Sequence, residues 1–219
     1  MGYTAGMTTA SEREGDSDAA MLRAWADGDQ RAGARLYRRH VGCLTRFFRN
    51  KVAERDLSDL LQATFMRGFE HRERYDERAS FRGFLLGFAR NILLHHYRSH
   101  YRKHDKIDFG VSSVAELGVS PSTVIAERQD EQRLLAALRS LPIEQQILLE
   151  LFYWEGMQGQ ELADLLEVPL GTVRTRLRRA RQLLAKAYET DLGPGTGPVS
   201  LVDLDGWAKS VRNNLAESE

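Results

Sequence analysis

One short basic stretch near the end of the chain restricts its fold and function more than any other feature. Five arginines occur in the eight residues from Arg174 to Arg181, with no acid among them. Apolar residues recur through the same stretch at helical spacing, namely Val173, Leu177, Ala180 and Leu184. This spacing predicts an amphipathic helix with one buried face. The exposed side of that helix would be positively charged and rich in hydrogen-bond donors.

A second short helix is predicted immediately upstream, over residues 160–166. Only Glu167-Val168-Pro169 separates the two, and proline is favourable at a first helical position because it has no backbone N–H to lose. Two short helices with a tight turn, the second one basic, are typical of a helix-turn-helix. In that motif the second helix enters the major groove of DNA with its N-terminal residues nearest the bases. The alternative is an ordinary hairpin with a solvated basic face, although such faces usually mix both signs of charge.

Charge is distributed in blocks along the 219 residues, although the formal net charge is +0. Residues 21–104 carry an excess of nine positive charges and residues 169–186 an excess of six, whereas residues 141–168 contain six acids and no base. Local patches, rather than net charge, determine how a protein meets DNA. The sequence therefore predicts two separate basic surfaces.

Cysteine content and hydropathy indicate in which cellular compartment the chain folds. Cys43 is the single cysteine, which excludes an internal disulfide and fits a reducing compartment. The N-terminus is acidic and has no apolar run, so it does not resemble a secretory signal. No stretch approaches the roughly 20 apolar residues that a membrane span needs. We therefore expect a cytoplasmic protein that does not bind a membrane.

Helical periodicity predicts an all-α fold of two small helical domains joined by a flexible linker, the second a helix-turn-helix, with a short C-terminal extension. The expected boundaries are a disordered tail over 1–17, an N-terminal domain over 18–104, a linker over 105–122, a C-terminal domain over 123–188 and an extension over 189–219. The extension contains an amphipathic stripe over 199–216, which would dock on this chain or on a partner. A frayed tail is the alternative, because so short a helix is marginal alone in water.

Individual helices follow from the same periodicity. In the N-terminal domain they are expected over 19–27, 30–50, 57–70 and 81–102, and in the C-terminal domain over 123–140 and 143–154 before the helix-turn-helix. Polar residues are expected to cap several of them: Ser17 or Asp18 the first, Asp56 or Ser58 the third, and Ser80 the fourth.

Histidines are concentrated at the end of the N-terminal domain, at His95, His96, His100 and His104. They alternate with bases and aromatics, a mixture that suits nucleic acid because cations meet phosphates and rings stack on exposed bases. His96 and His100 have a spacing that can bind zinc, but no cysteine or glutamate stands nearby as a third ligand. A metal-dependent nuclease is therefore an alternative function. The sequence contains no carboxylate pair, glycine-rich phosphate loop or nucleophile arrangement that would support it. No metal, cofactor or enzymatic activity is expected.

Several motifs, in the right order and at the right separations, resemble those of bacterial RNA polymerase sigma factors of the extracytoplasmic-function type. Residues 59–65 (DLLQATF) are similar to the family's acidic-Leu-x-Gln-x-Thr-Phe signature, and residues 81–91 (FRGFLLGFARN) to its Phe-Arg-x-Trp-Leu-x-x-Ile-Ala-x-Asn helix. Leu141-Pro142, the turn at residues 153–156 and residues 161–163 and 171–181 follow in the family's order. The resemblance spans about residues 19–188.

The resemblance implies that the chain binds core RNA polymerase and promoter DNA, with an anti-sigma factor as a further candidate partner. The N-terminal domain would bind polymerase and melt the −10 element, and the helix-turn-helix would read the −35 element. The polymerase contact would involve Asp59, Gln62 and Phe65. The −10 element would be met by Arg72, Arg74, Tyr75, Arg82, Asn91, Arg98 and Arg102. The −35 element would be met by Thr172, Arg174, Thr175, Arg176, Arg178 and Arg179. The residue-based alternative, a helix-turn-helix regulator that does not bind polymerase, leaves residues 1–104 without a role.

Overall fold

The computed structural model describes residues 17–100, 107–119 and 129–192. The helices in these ranges are α1 (Asp18–Ala26), α2 (Gln30–Arg49), α3 (Glu54–Glu70), α4 (Phe81–His100), α5 (Gln129–Arg139), α6 (Ile143–Tyr153), α7 (Gly159–Leu166) and α8 (Leu170–Leu192). Within the described residues the only β-type pairing is an isolated bridge between Ser113 and Pro142. The predicted all-α fold with two helical domains and a linker is confirmed. Residues 1–16 of the tail predicted over 1–17 lie outside the described residues, as does the stripe over 199–216, whereas Ser17 is described as the cap of α1.

Local capping explains where the first helices begin. The Ser17 hydroxyl accepts a hydrogen bond from the Ala20 N–H (3.1 Å), and the Asp29 carboxylate accepts one from the Arg31 N–H (2.8 Å). Ser80 similarly accepts a bond from the Gly83 N–H (3.4 Å) at the start of α4. These side chains satisfy N–H groups that have no partner within the helix.

The predicted start of α3 is wrong by about one turn. Asp56 and Ser58 lie inside the helix, which begins at Glu54 after Ala53, a residue without a side-chain cap. Glu54 and Asp56 instead place two carboxylates in the first turn. Negative charge there is favourable because the N-terminal end of a helix carries partial positive charge.

Helices α1–α4 form the N-lobe, residues 17–100, around one apolar core. Its largest fully buried side chains include Phe47, Phe48, Leu85, Leu93 and Tyr97. Gly33 allows α1 to approach α2 closely, because a Cβ at this position would lie 2.8 Å from the Trp25 ring.

Helices α5–α8 form the C-lobe, residues 129–192, in which α8 packs against the other three helices. The turn between α7 and α8 depends on Glu167, which has a φ of 55° and ends α7 in the left-handed conformation. Pro169 precedes α8 rather than occupying its first turn, and its carbonyl accepts a hydrogen bond from the Thr172 N–H (2.8 Å). The predicted helix-turn-helix is therefore present, with its second helix beginning at Leu170.

The part of the linker that is described, residues 107–119, is turn-rich and packed, although the sequence predicted a flexible linker. Phe109, Val114 and Leu117 are buried in it, which explains why the segment folds onto the lobes. Its carbonyls also cap α6, since Ser112 accepts a bond from the Ile143 N–H (3.0 Å). On the N-lobe side, the Arg98 guanidinium lies 4.9 Å from the centre of the Phe109 ring. The segment thereby joins the end of α4 to the start of α6.

Candidate nucleic-acid interface

The exposed side of α8 carries the residues predicted to meet the −35 element. The apolar stripe lies inside, with Val173, Leu177, Ala180 and Leu184 all buried. The arginines at 174, 176, 178 and 179 are exposed, as is Thr175, while Thr172 is half-buried. Thr175 donates a hydrogen bond to the Gly171 carbonyl (3.1 Å), which fixes its hydroxyl against the helix. The structure thus gathers all six residues on the first three turns of α8.

Arg181 belongs to the same basic run but has a structural partner. Its Nε donates to the Tyr153 hydroxyl (2.9 Å), and its guanidinium lies 4.9 Å from the Phe152 ring centre and 5.5 Å from that of Tyr153. Cations are attracted to the faces of aromatic rings. Arg181 therefore ties α8 to the end of α6 and orients the exposed arginines that precede it.

A charged loop with an aromatic base follows α3 in the N-lobe. Arg72 and Arg74 form a short 3-10 turn and are exposed. The half-buried Tyr75 ring packs edge-on against Phe81 (5.1 Å between centroids), and its hydroxyl donates to the Ala79 carbonyl (3.1 Å). Burial, and then the charge of Asp18, raises the pKa of Tyr75 above its ordinary value. The loop is therefore held against α4 by a neutral aromatic side chain.

Asn91 lies in a groove of about 900 Å³ between α3 and α4. The His71 ring is stacked on Phe88 beside it, at 5.7 Å and nearly parallel. The groove is also lined by Asp59, so one predicted polymerase residue and one predicted −10 residue share it. The Asn91 amide is exposed, and its oxygen accepts a long bond from Arg90 (3.5 Å). A flat aromatic wall with amide and imidazole groups at its rim suits an unstacked base.

The remaining residues predicted for the −10 element are separated by the fold. Arg98 is exposed at the far end of α4, over Phe109. Arg82 points toward the C-lobe, where its Nη1 lies 3.9 Å from a Glu155 oxygen. Arg102 lies outside the described residues.

The three predicted polymerase residues on α3 differ in exposure. Asp59 and Gln62 are exposed, as expected for a protein contact. Phe65 is only 6% exposed, and its ring lies 4.7 Å from that of Tyr37, which is itself exposed. Phe65 therefore supports this surface from beneath.

The histidines on α4 do not form a set of metal ligands in the described part of the chain. No three His, Cys, Asp or Glu groups there come close enough to hold an ion. His96 and His100 have stacked rings 4.2 Å apart, and His96 lies 3.8 Å from an Asp56 oxygen. Burial lowers the pKa of His96, as does the neighbouring His100, whereas Asp56 opposes the shift. His104 lies outside the described residues.

A charged network across the two lobes was missed by the sequence reasoning. Glu150 of α6 is 2% exposed and pairs with Lys51, which is fully buried. Its carboxylate also accepts hydrogen bonds from the side-chain amides of Asn50 (3.0 Å) and Gln146 (2.9 Å). Arg139 of α5 donates to the Asn50 oxygen (2.6 Å). Burial lowers the pKa of Lys51, and the charge of Glu150 opposes that shift.

Two further ion pairs flank this buried centre. Arg46 donates through Nε and Nη2 to the two oxygens of Glu155 (3.1 and 3.3 Å), and Arg90 donates to Glu144 (3.3 Å). The signal that could have pointed to these pairs is the acidic block over 141–168, which contains Glu144, Glu150 and Glu155 and no base. These three acids lie against cations of α2, of α4 and of the turn after α2.

The described helices are all too short or too polar to cross a membrane: none combines the length and the apolar character that a bilayer span requires.

Two family models match this chain. The sigma-70 region 2 model matches residues 36–103, and the sigma-70 region 4 model matches residues 131–184, together more than half of the sequence. The ECF RNA polymerase sigma factor SigE of Mycolicibacterium smegmatis is 32% identical over 164 residues, which are 73% of this chain and 63% of that protein.

Solved structures share the fold. The structure of CnrH, a sigma factor of Cupriavidus metallidurans, in complex with the cytosolic domain of CnrY has a TM-score of 0.59 at 24% identity, over 80% of this chain and 99% of that one. The sigma factor RpoE in complex with the anti-sigma factor NepR from Bartonella quintana has a TM-score of 0.55 at 20% identity, over 71% of this chain and 95% of that one.

Proposed function

This chain belongs to the sigma-70 family and is a sigma factor of the extracytoplasmic-function type, and from this premise we propose which of its surfaces direct RNA polymerase to a promoter. Sigma factors are regulatory initiation factors rather than catalysts, and we assign no enzymatic step to this chain. We place its action in the cytoplasm, where core polymerase meets DNA.

The C-lobe is proposed to read the −35 element through α8. The observation that carries this assignment is the run of exposed arginines on the first turns of α8, oriented by Arg181. Arginine forms paired hydrogen bonds with guanine in the major groove and with phosphates on either side. Thr172 and Thr175 would add short-range contacts beside the arginines.

The N-lobe is proposed to bind polymerase through Asp59 and Gln62 and to open the −10 element beside them. Arg72, Arg74 and Tyr75 follow closely in the chain after His71, which lines the groove that contains Asn91. Extruding a base costs a few kcal/mol of stacking and pairing. A site that stacks the base and hydrogen-bonds its edge offsets that cost. We add an anti-sigma factor to the proposed partners, because the similar RpoE is held by one.

Transcription in vitro tests the whole assignment. Purified chain and core polymerase would be supplied with genomic DNA, and the RNA start sites would be mapped. We expect starts that depend on the added chain and share a common upstream sequence. A chain that binds DNA but neither joins core polymerase nor produces new starts would instead be a plain helix-turn-helix regulator.

Asn91→Ala is expected to slow promoter opening about threefold to tenfold, since one hydrogen bond to the extruded base contributes roughly 0.5–1.5 kcal/mol. The measurement is the fluorescence of a 2-aminopurine probe placed in the −10 element, recorded with polymerase present. A template already mismatched over the −10 element serves as the control, because the variant should start RNA there at a rate near that of the parent chain. Equal opening by parent and variant on a fully paired template would remove Asn91 from the assignment.

A further inference from the structure

The contact between the lobes has opposite charges on its two sides. On the C-lobe side, Glu144, Glu150 and Glu155 lie along α6 and the turn that follows it. On the N-lobe side lie four cations, namely Arg46, Lys51, Arg82 and Arg90. Each acid meets at least one of these cations. We call the four cations the basic strip.

The pairing covers most of the strip. Lys51 is fully buried, and the side chains of Arg46, Arg90 and Arg82 are 17%, 19% and 33% exposed. The Nε of Arg90 is buried without a hydrogen-bond partner in the described structure. The strip is therefore desolvated by α6, and one of its donors remains unsatisfied in this arrangement.

The three acids are spread over α6 and the turn that follows it. Glu144 and Glu150 are six positions apart on α6, a rise of about 9 Å along the helix axis, and Glu155 lies in the turn after Tyr153. Glu150 faces Lys51. Negative groups that bind arginine and lysine through charged oxygens share this chemistry with the phosphates of a DNA backbone.

The closed arrangement cannot serve both promoter elements. The names −10 and −35 imply a separation of about 25 base pairs, or roughly 85 Å at 3.4 Å per pair. A compact chain of this length has a radius of gyration of only about 17 Å. Because α4 and α7 are in direct contact here, the lobes must separate before α8 and the groove at Asn91 reach their proposed elements. Separation uncovers the basic strip.

We propose that the acidic side of α6 occupies a DNA-backbone site on the N-lobe. In the closed chain Glu144, Glu150 and Glu155 take the places of phosphates, and in the open chain the basic strip binds the phosphates of the promoter. Lobe contact and DNA binding then compete for the same cations, so DNA itself favours the open chain. The inference rests on the proposed function in that the N-lobe is the part that meets DNA near the −10 element.

The test removes two of the acids without changing side-chain shape. The double variant Glu144→Gln/Glu155→Gln removes the ion pairs that these two acids form with Arg46, Arg82 and Arg90, and it leaves the buried Glu150 in place. A second variant, Asp164→Asn/Glu189→Gln, removes two exposed acids of the same lobe that lie away from the strip. The two variants have equal net charge, so a general electrostatic effect on DNA affinity is the same in both.

The probe is a fluorescein-labelled single-stranded oligonucleotide of about 20 nucleotides, bound to the full chain without polymerase. We expect Glu144→Gln/Glu155→Gln to bind it about tenfold more tightly than the parent chain does. The slope of log K against log salt should steepen by about 0.7 for each phosphate gained. The control variant should show a smaller gain in affinity. Adding Arg46→Ala and Arg90→Ala to the double variant should abolish the extra affinity.

Small-angle X-ray scattering of the unaltered chain is an independent test, because it does not require any variant to fold. Adding the oligonucleotide should increase the radius of gyration of the protein as DNA displaces α6. A DNA complex as compact as the free chain would overturn the proposal, as would equal affinities of the two charge-matched variants. Failure of the unaltered chain to direct transcription would instead overturn the proposed function, which these binding measurements do not depend on.

Discussion

Replacing Lys51 with methionine should separate the two lobes. The substitution leaves the Glu150 carboxylate 2% exposed without its cationic partner. Losing one member of a buried ion pair costs about 3–5 kcal/mol. The chain can avoid most of this cost by exposing Glu150 to water, so the expected result is an open chain with two folded lobes rather than general unfolding.

Cys43 provides the measurement for this variant. It is the single cysteine, and burial raises the pKa of its thiol to about 12, with a further contribution from the charge of the nearby Glu155. Separation of the lobes removes the charge of Glu155, which lowers the pKa of the thiol. Because the thiolate is the reactive form, each unit by which this pKa falls should raise the rate of Cys43 reaction with a disulfide reagent up to about tenfold.

The matched control is the double variant Lys51→Met/Glu150→Gln. Glutamine removes the charge that would be buried without a partner, and its amide oxygen can still accept the hydrogen bonds from Asn50 and Gln146. The double variant should therefore return to slow Cys43 reaction and a compact scattering profile. Slow reaction in the single variant as well would show that the ion pair does not hold the lobes together.

Arg174→Ala or Arg179→Ala should reduce promoter binding by about 1–3 kcal/mol, or roughly fivefold to more than a hundredfold, if each arginine contacts a base. Both side chains are exposed on α8, so the folded structure should not change. The measurement is the affinity of the reconstituted polymerase for promoter fragments with intact and scrambled −35 elements. The affinity should fall only for the fragment whose −35 element is intact.

Lys186→Ala serves as the matched control for the arginine variants. Lys186 is also an exposed cation of α8, but it lies twelve positions beyond Arg174, about 18 Å along the axis. Its removal should lower binding to both fragments slightly and equally. Equal losses for all three variants would indicate general attraction to phosphate and would contradict base recognition by Arg174 and Arg179.

Features that depend on local sequence were predicted well. The stripe Val173, Leu177, Ala180 and Leu184 is buried throughout, because helical periodicity determines which side of α8 faces the core. Helix starts with a serine cap, such as Ser17 and Ser80, also agree with the structure. The start of α3 was missed because charge in its first turn replaces a side-chain cap.

Features that depend on distant residues could not be read from the sequence. Asn50 and Glu150 are one hundred positions apart, and only the folded chain shows that their side chains meet. Arg181 matched the other arginines of α8 in the pattern, but the rings of Phe152 and Tyr153 hold it. Phe65 fitted a surface motif and is buried. In each case a contact from another helix decides what the side chain does.

The length of α8 has a practical consequence. Its 23 residues correspond to about 34 Å, and the exposed arginines lie on its first turns. Leu192, the last residue of α8, is about 20 Å along the axis from Arg179, so this end of the helix is remote from the bases. A fluorescent protein fused after this point would be carried clear of the double helix, which would let single-molecule microscopy follow the residence time of the chain on chromosomal sites.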